Sequence, residues 1–264
     1  MSAEKDSAII LRVVPFSETS CIVTLFTREF GKIGALAKGA RRPKGPFEAA
    51  LDLLALVRIV FLHKSSQGLD LLTEAKLQRR FRAGGRELSR LYAAFYVIEL
   101  LDALTTDADP HPELFDAAVR ALERLDEQGE VAREVLRFEL SAMRFLGHLP
   151  ALDRCVECGG SVGGELPRMA FGLIEGGVLC VRCKVGKRQL ISFSRPAVAL
   201  MRQLAGECER GWQLAELDRK VFAELRGIVS RYICHLLGRK PRMHQYMDWF
   251  GQIRGNAGCM SSET

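Results

Sequence analysis

Apolar and polar positions along the chain change period once. From about residue 7 to 76, apolar and β-branched runs at 8–14, 21–26, 33–37, 51–61 and 69–72 are separated by Gly, Pro, Ser and Lys. That pattern predicts five strands in about seventy residues, enough for a small barrel. The OB-fold, whose face and loops bind nucleic acid, is the best-known five-stranded solution. An SH3-like barrel gives nearly the same pattern, and the strand count leaves both open.

Beyond Lys76 the apolar residues fall at three-four spacing. Leu88, Leu91, Tyr92, Phe95 and Ile98 predict a helix over 86–105, and 107–112 breaks it. Further helices are predicted over 113–125 and 131–146, making a bundle. A Gly-rich segment at 152–190 interrupts the helical run. Ser194 with Pro196 then marks a helix start, and a helix over 218–237 is apolar enough to join the bundle core. The predicted organisation is α+β and multi-domain. A barrel occupies 1–78 and a helical domain 79–264, with the cysteine segment inserted and a frayed tail at 255–264.

Charge is segregated along the chain. Residues 1–90 carry 16 Lys/Arg against 9 Asp/Glu, residues 91–140 carry 4 against 12, and residues 141–264 carry 18 against 11. Two basic segments around an acidic one point to a polyanion partner, because neutralising phosphates releases counterions. The alternative is that basic and acidic segments face each other within the fold. The longest membrane-like run, 51–62, has twelve residues and contains Asp52 and Arg58, well short of a span of ~20. With acids in its opening MSAEKD and no apolar signal core, the chain is expected to be cytoplasmic.

Of eight cysteines, Cys155, Cys158, Cys180 and Cys183 form two C-x-x-C pairs separated by 21 residues. Such a tight turn presents two sulfurs to one ion, and four thiolates complete a closed tetrahedral zinc site. This predicts one structural Zn²⁺ in a ribbon; four reduced cysteines without metal are the alternative. His111-Pro-Glu113 upstream of a C-x-x-C resembles deaminase vocabulary. However, Arg154 stands where that pattern has proline, and the second cysteine pair is left without a role. G-x-x-x-x-G-K-[ST], G-x-S-x-G and H-E-x-x-H are absent, so no catalytic site is expected.

The run Lys38-Gly-Ala-Arg41-Arg42-Pro-Lys44 between the third and fourth strands suits phosphate contacts. Arg28 and Lys32 extend it, Phe30 and Phe47 are candidate stacking faces, and Phe16, Phe26 and Phe61 are expected in the core. Arg79, Arg80, Arg82, Arg86 and Arg90 form a further cluster. Arg82, Arg86 and Arg90 are spaced for one helical face, to make either a positive ridge for DNA or ion pairs with the acidic helices.

The order of these parts resembles the RecO family of bacterial recombination mediators over about 7–250. The carrying motifs are Phe16-Ser-Glu-Thr-Ser20, Gly31-Lys-Ile-Gly34, Lys38 to Lys44, Cys155-Val-Glu-Cys158-Gly, Gly177-Val-Leu-Cys180-Val-Arg-Cys183 and Leu236-Leu-Gly238. The resemblance implies an OB-fold that binds single- and double-stranded DNA and anneals complementary strands. With RecR, the family helps RecA replace single-strand-binding protein in the nucleoid, and no enzymatic step is involved. Lys38, Arg41, Arg42 and Lys44 match the family's DNA-contacting loop, and the four cysteines match its metal ligands. The family's helical domain also takes the acidic, hydrophobic-ended tail of single-strand-binding protein. Arg120, Arg124, Arg133 and Arg137, near Phe115, Leu122 and Phe138 in sequence, are the candidates for it. The chain departs from the family's C-terminal R-x-L-K-S-R-like run, reading Gly238-Arg-Lys-Pro-Arg-Met-His-Gln-Tyr246. Pro241 should end or bend a helix there. A protein-binding adaptor, with the barrel as scaffold, is the competing function.

Overall fold

The computed structural model describes residues 2–42, 47, 50–63, 68–127, 129–162, 167–206 and 218–247. The chain divides into two compact units, one of residues 1–147 with Pro241–Met243 and one of 148–240 with 244–264.

The first unit opens with β1 (Ser2–Pro15), β2 (Cys21–Thr27), β3 (Gly31–Ala37), β4 (Leu56–His63) and β5 (Asp70–Arg79). They close into a barrel in the order β1-β2-β3-β5-β4. All neighbours pair antiparallel except β3 and β5, which run parallel. This is an OB-fold, and the pairing decides the choice that strand count leaves open. Alternation puts Val23 and Leu25, Ile33 and Ala35, Val57, Ile59 and Phe61, and Leu72 inside, as a strand's two-residue period requires.

Three barrel boundaries differ from the sequence expectation, one of them the end of β5, which runs on to Arg79 rather than stopping at residue 72. β1 starts at Ser2 rather than at residue 8, because its polar first half pairs with β4 while its second half pairs with β2. Backbone pairing of exposed residues leaves no apolar signature. β4 starts at Leu56 rather than residue 51, since Leu54 has φ +68° and turns the chain there. That turn is held by Leu54 N–H donating to the Ile10 carbonyl and Ile10 N–H to Ala55.

Helices α1 (Leu88–Leu104), α2 (Pro112–Asp126) and α3 (Val131–Phe145) complete the first unit. Buried residues on α1 include Ala93, Ala94, Tyr96, Val97, Leu100 and Leu101, which leaves it covered on several faces, as a central helix must be. Its buried Tyr96 hydroxyl donates to the buried Glu139 of α3 at 2.6 Å, which satisfies an otherwise costly buried pair. Glu99 of α1 accepts from the backbone N–H groups of Arg242 and Met243.

The second unit holds the antiparallel sheet β7-β6-β8, from β6 (Arg168–Gly172), β7 (Gly177–Leu179) and β8 (Leu190–Ser194). Two helices follow, α4 (Arg195–Ala205) and α5 (Arg219–Leu237). Ser194 caps α4 by accepting from Ala197 N–H, with proline in the first turn, as the sequence predicts. The apolar stripe of α5 packs on α4 and β8, so it makes this unit's core; the expectation had placed it in one bundle with the earlier helices. Gly238, at φ +65°, ends α5 in the left-handed region, ahead of Pro241. Arg239 and Lys240 therefore lie beyond the helix.

Phe171 meets Phe193 and Tyr232 edge-on at 5.9 and 5.4 Å. Glu224 of α5 ties this core together, accepting from Ser194 N–H, the Ser194 hydroxyl and the Arg168 guanidinium. Burial opposes ionisation of Glu224, but the Ser194 and Arg168 bonds outweigh it and hold the carboxyl below its usual range. A lowered folded pKa stabilises above the unfolded value of about 4.3, and the gain is lost as pH falls through the lower folded pKa. Glu224→Gln should therefore melt below wild type at neutral pH, with the gap closing in acid, as thermal unfolding across pH 3–7 would read.

Candidate nucleic-acid interface and metal centre

Barrel pairing brings Pro15, Cys21 and Ala37 into one row, the ends of β1, β2 and β3. The turn from Phe16 to Ser20 and the basic run starting at Lys38 both leave from that row. They are joined by Arg41 N–H donating to the Thr19 carbonyl at 3.0 Å, and Arg42 N–H closes a turn onto Gly39 at 3.0 Å. Gly39 has φ +75°, which a side chain would resist. Lys38, Arg41 and Arg42 are exposed and form no ion pair among the described residues. Lys44 lies outside the described residues.

The remaining basic candidates other than Arg82 have structural duties. Arg28 grips Asp116 of α2 through two 3.0 Å bonds, and these, with Glu29, hold its guanidinium well above its ordinary pKa. Lys32 is 12% exposed. Its ammonium donates to the carbonyls of Asp102 and Thr105 at 2.7 and 2.8 Å, where it caps the negative end of α1. Arg79 pairs with Glu123, Asp126 and Glu127, and Arg80 with Asp52. Arg86 donates to the Asp126 carbonyl, and Arg90 to those of Leu125 and Gly129. The contacts of Arg79, Arg86 and Arg90 gather cations at the C-terminal end of α2, the internal pairing that the sequence left as an alternative. Nor do Arg82, Arg86 and Arg90 share a helical face, since residues 83–85 form a 3₁₀ turn and α1 begins only at Leu88. Arg82 is exposed, and its side chain makes no ion pair among the described residues.

The aromatic residues exchange places. Phe47 is buried, and Phe30 packs edge-on to Phe61 at 5.3 Å, so neither offers a free stacking face. Phe16, expected in the core, is 62% exposed. It follows the last paired residue of β1, where a turn tip replaces strand alternation.

Arg58 of β4 and Lys76 of β5 stand directly opposite each other. Both are exposed and neither makes an ion pair among the described residues. Like charges in such a cross-strand position repel, and the sequence reading passed over them. Each is a lone cation at an outward position of an alternating strand, and only the register brings them together.

Among the tail candidates, Arg120 is exposed, whereas Arg124 lies 3.7 Å from Glu134. Burial raises the Glu134 carboxyl, and the charges of Arg124, Arg137 and Arg133 pull it back. Three of the four arginines thus surround one carboxylate. Phe115, Leu122 and Phe138 are buried, and of the three Leu122 lines a small pocket, shared with Val119, Phe81 and Arg79.

In the second unit the four cysteines converge. Cys155, Cys158, Cys180 and Cys183 place their sulfurs within 4.8 Å of one another, and Cys158 Sγ lies 3.9 Å from Cys180 Sγ. Tetrahedral coordination at Zn–S ~2.3 Å sets sulfurs roughly 3.8 Å apart, so the set fits such an ion. Both knuckles are closed by equivalent backbone bonds, Gly159 N–H to Cys155 O and Lys184 N–H to Cys180 O. The sheet positions them: Val156 N–H donates to the Val178 carbonyl, which locks the first knuckle to β7, directly before Cys180. Gly159, at φ +66°, takes a conformation that a side chain would resist, and a Cβ at Gly160 would come within 3.3 Å of Cys158 Sγ. As thiols, Cys155 and Cys183 ionise far apart. Burial opposes ionisation of Cys155, but backbone N–H groups of Cys158, Cys180 and Glu157 bring it to about 6. Hydrogen bonds with Cys180 and Cys158 hold Cys183 up to about 12. No helix among the described residues is long and apolar enough to cross a membrane.

Comparison with known proteins agrees with this layout. Residues 1–81 match the model for the N-terminal region of recombination protein O, and residues 85–245 match that for its C-terminal region. A Rhodopirellula baltica protein named DNA repair protein RecO is 41% identical over 262 residues, covering 91% of this chain and 97% of its own length. One of the same name from Myxococcus xanthus is 34% identical, over 95% of this chain and 99% of its own. Another from Anaeromyxobacter dehalogenans is 31% identical, over 97% and 100%. With an OB barrel, a helical region and a four-cysteine cluster in this order, the chain belongs to the RecO family of DNA repair proteins.

Proposed function

We propose that this chain is a recombination mediator that works without covalent catalysis. It binds single- and double-stranded DNA and anneals complementary strands. With RecR, it helps RecA displace single-strand-binding protein. The observation that carries this reading is the set of exposed cations Lys38, Arg41 and Arg42, unpaired among the described residues, on one turn at the end of an OB barrel. Lys44 and Arg82 are proposed to extend the contact. Annealing requires two strands to be held together against their own repulsion. Arg58 and Lys76, whose mutual repulsion a phosphate would relieve, are proposed to hold the second. Arg120 is the proposed tail contact, because its charge is not spent on Glu134. The metal is proposed to be zinc, for which four thiolates are a characteristic closed donor set.

The test is fluorescence-anisotropy titration of labelled single strands and duplex at several salt concentrations, paired with a complementary-strand annealing assay. Binding that weakens linearly in log–log salt, and annealing slowed in Arg58→Ala/Lys76→Ala with single-strand affinity nearly kept, are the expected results. Salt-independent binding, or none, overturns the reading in favour of a protein-binding adaptor.

A further inference from the structure

Phe16 is an exposed aromatic ring on a turn whose neighbours are cationic and whose backbone is fixed. Its N–H donates to the Ser20 carbonyl at 3.0 Å, and Ser17 N–H donates to the same oxygen. The turn is thus a closed loop that orders its tip. It is anchored to the basic run by the Arg41–Thr19 bond. On the β1 side, a register shift between Ile10 and Arg12 leaves Arg12 and Val14 exposed ahead of Phe16. Arg12 makes no ion pair among the described residues. Arg41 lies near enough to Cys21, the first residue of β2, for its charge to oppose the rise that burial gives that thiol. Lys38, Arg41 and Arg42 on the adjoining run and Arg12 on β1 therefore belong to the segments that meet at this turn, against one acid in it, Glu18.

An exposed phenylalanine gains little from water, and its exposed apolar neighbours at the end of β1 are Val14 and Pro15 alone. That is too narrow a patch to resemble a protein-docking surface, which needs hundreds of Å² of contiguous apolar area. One ring among cations matches the needs of an unpaired nucleotide, a flat face for the base and charges for the phosphates. A base paired within duplex DNA presents no free face. We infer that Phe16 is a stacking platform for an unpaired base of single-stranded DNA, set beside the phosphate contacts of Lys38, Arg41 and Arg42. The inference rests on the DNA-binding reading above and adds a strand preference to it: the turn favours single strands over duplex.

The experiment compares wild type, Phe16→Ala and Phe16→Tyr in the same anisotropy titrations, with labelled oligothymidylate and a duplex of equal length. Phe16→Ala should weaken single-strand binding by roughly 5- to 150-fold, the range for losing one stacked base. Its log–log salt slope should not change, because no phosphate contact is removed, and duplex affinity should stay within about twofold by the same reasoning. Phe16→Tyr, which keeps the ring face, should restore single-strand affinity. Equal single-strand affinity for wild type and Phe16→Ala overturns the inference and leaves the basic loop as the DNA site, with the ring free for a protein partner. Equal losses on single strands and duplex, or a shallower slope, overturn it too. If wild type itself shows no salt-dependent DNA binding, the broader reading falls and the inference falls with it.

Discussion

Lys38→Ala/Arg41→Ala/Arg42→Ala should lose roughly 100-fold in affinity for single-stranded DNA at ~0.1 M salt. If each side chain neutralises one phosphate, each contributes about 0.7 to the log–log salt slope on single strands. Losing three makes the slope shallower by about 2, which at a tenfold dilution below ~1 M salt is about two decades. All three side chains are exposed and unpaired among the described residues, so their removal costs the barrel little. Lys32→Ala is the informative contrast. Its ammonium is held by the carbonyls of Asp102 and Thr105, and removing it leaves the end of α1 uncapped. That substitution should lower thermal stability by about 1–2 kcal/mol while the salt slope holds. If Lys32→Ala makes the slope as shallow as the triple variant does, cations beyond the loop contact DNA and the loop is not the principal site.

The contrast between Lys38 and Lys32 also marks where the sequence stops being informative. Strand alternation specifies which residues of β2, β3 and β4 enter the core, because a one-residue slip would expose Val23, Leu25 and Ile59 together. It says nothing of which cations meet an internal partner. Lys32 and Lys38 look alike in sequence, each preceded or followed by glycine. Only the tertiary fold brings the end of α1 to one and solvent to the other. Arg79 and Arg80 are similar cases, their partners Glu123 and Asp52 lying far away in the chain. Arg58 and Lys76 failed to register for the reverse reason, since each is unremarkable until β4 and β5 pair. The cysteine cluster was legible because its signal is local: two short turns carry the ligands, and glycine at φ +66° marks one of them. The extended start of β1 was not, because its polar side chains bury nothing there. Phe16 shows the same limit in a single residue, since an aromatic next to an apolar strand reads as core until the turn following Pro15 carries it outward.

Removing the proposed zinc should have the largest structural effect. Cys155→Ser/Cys180→Ser takes one ligand from each knuckle and should abolish stoichiometric zinc, measured by release to a colorimetric chelator. A structural zinc in a four-thiolate site supplies ~10–16 kcal/mol of apparent binding energy, comparable to the ~5–15 kcal/mol that holds a whole domain folded. The ribbon has little else at its centre. Of the four ligands only Cys155 is buried, while Val156, Val181 and Val185 point to solvent. The sheet β6–β8 and helices α4 and α5 share a core of Phe171, Phe193, Val198, Leu225 and Ile233, so unravelling should begin at the knuckles and lower the melting temperature of the second unit. Acid should act as chelation does. A zinc-bound sulfur must be a thiolate, and protonation competes with the ion, so retention falls as pH drops. The barrel has its own core, and DNA binding by Lys38, Arg41 and Arg42 should survive loss of the metal. A double variant that keeps one zinc per chain would show that the ligands lie elsewhere. One that loses zinc with no change in unfolding would reduce the cluster to an ornament on a unit that folds without it.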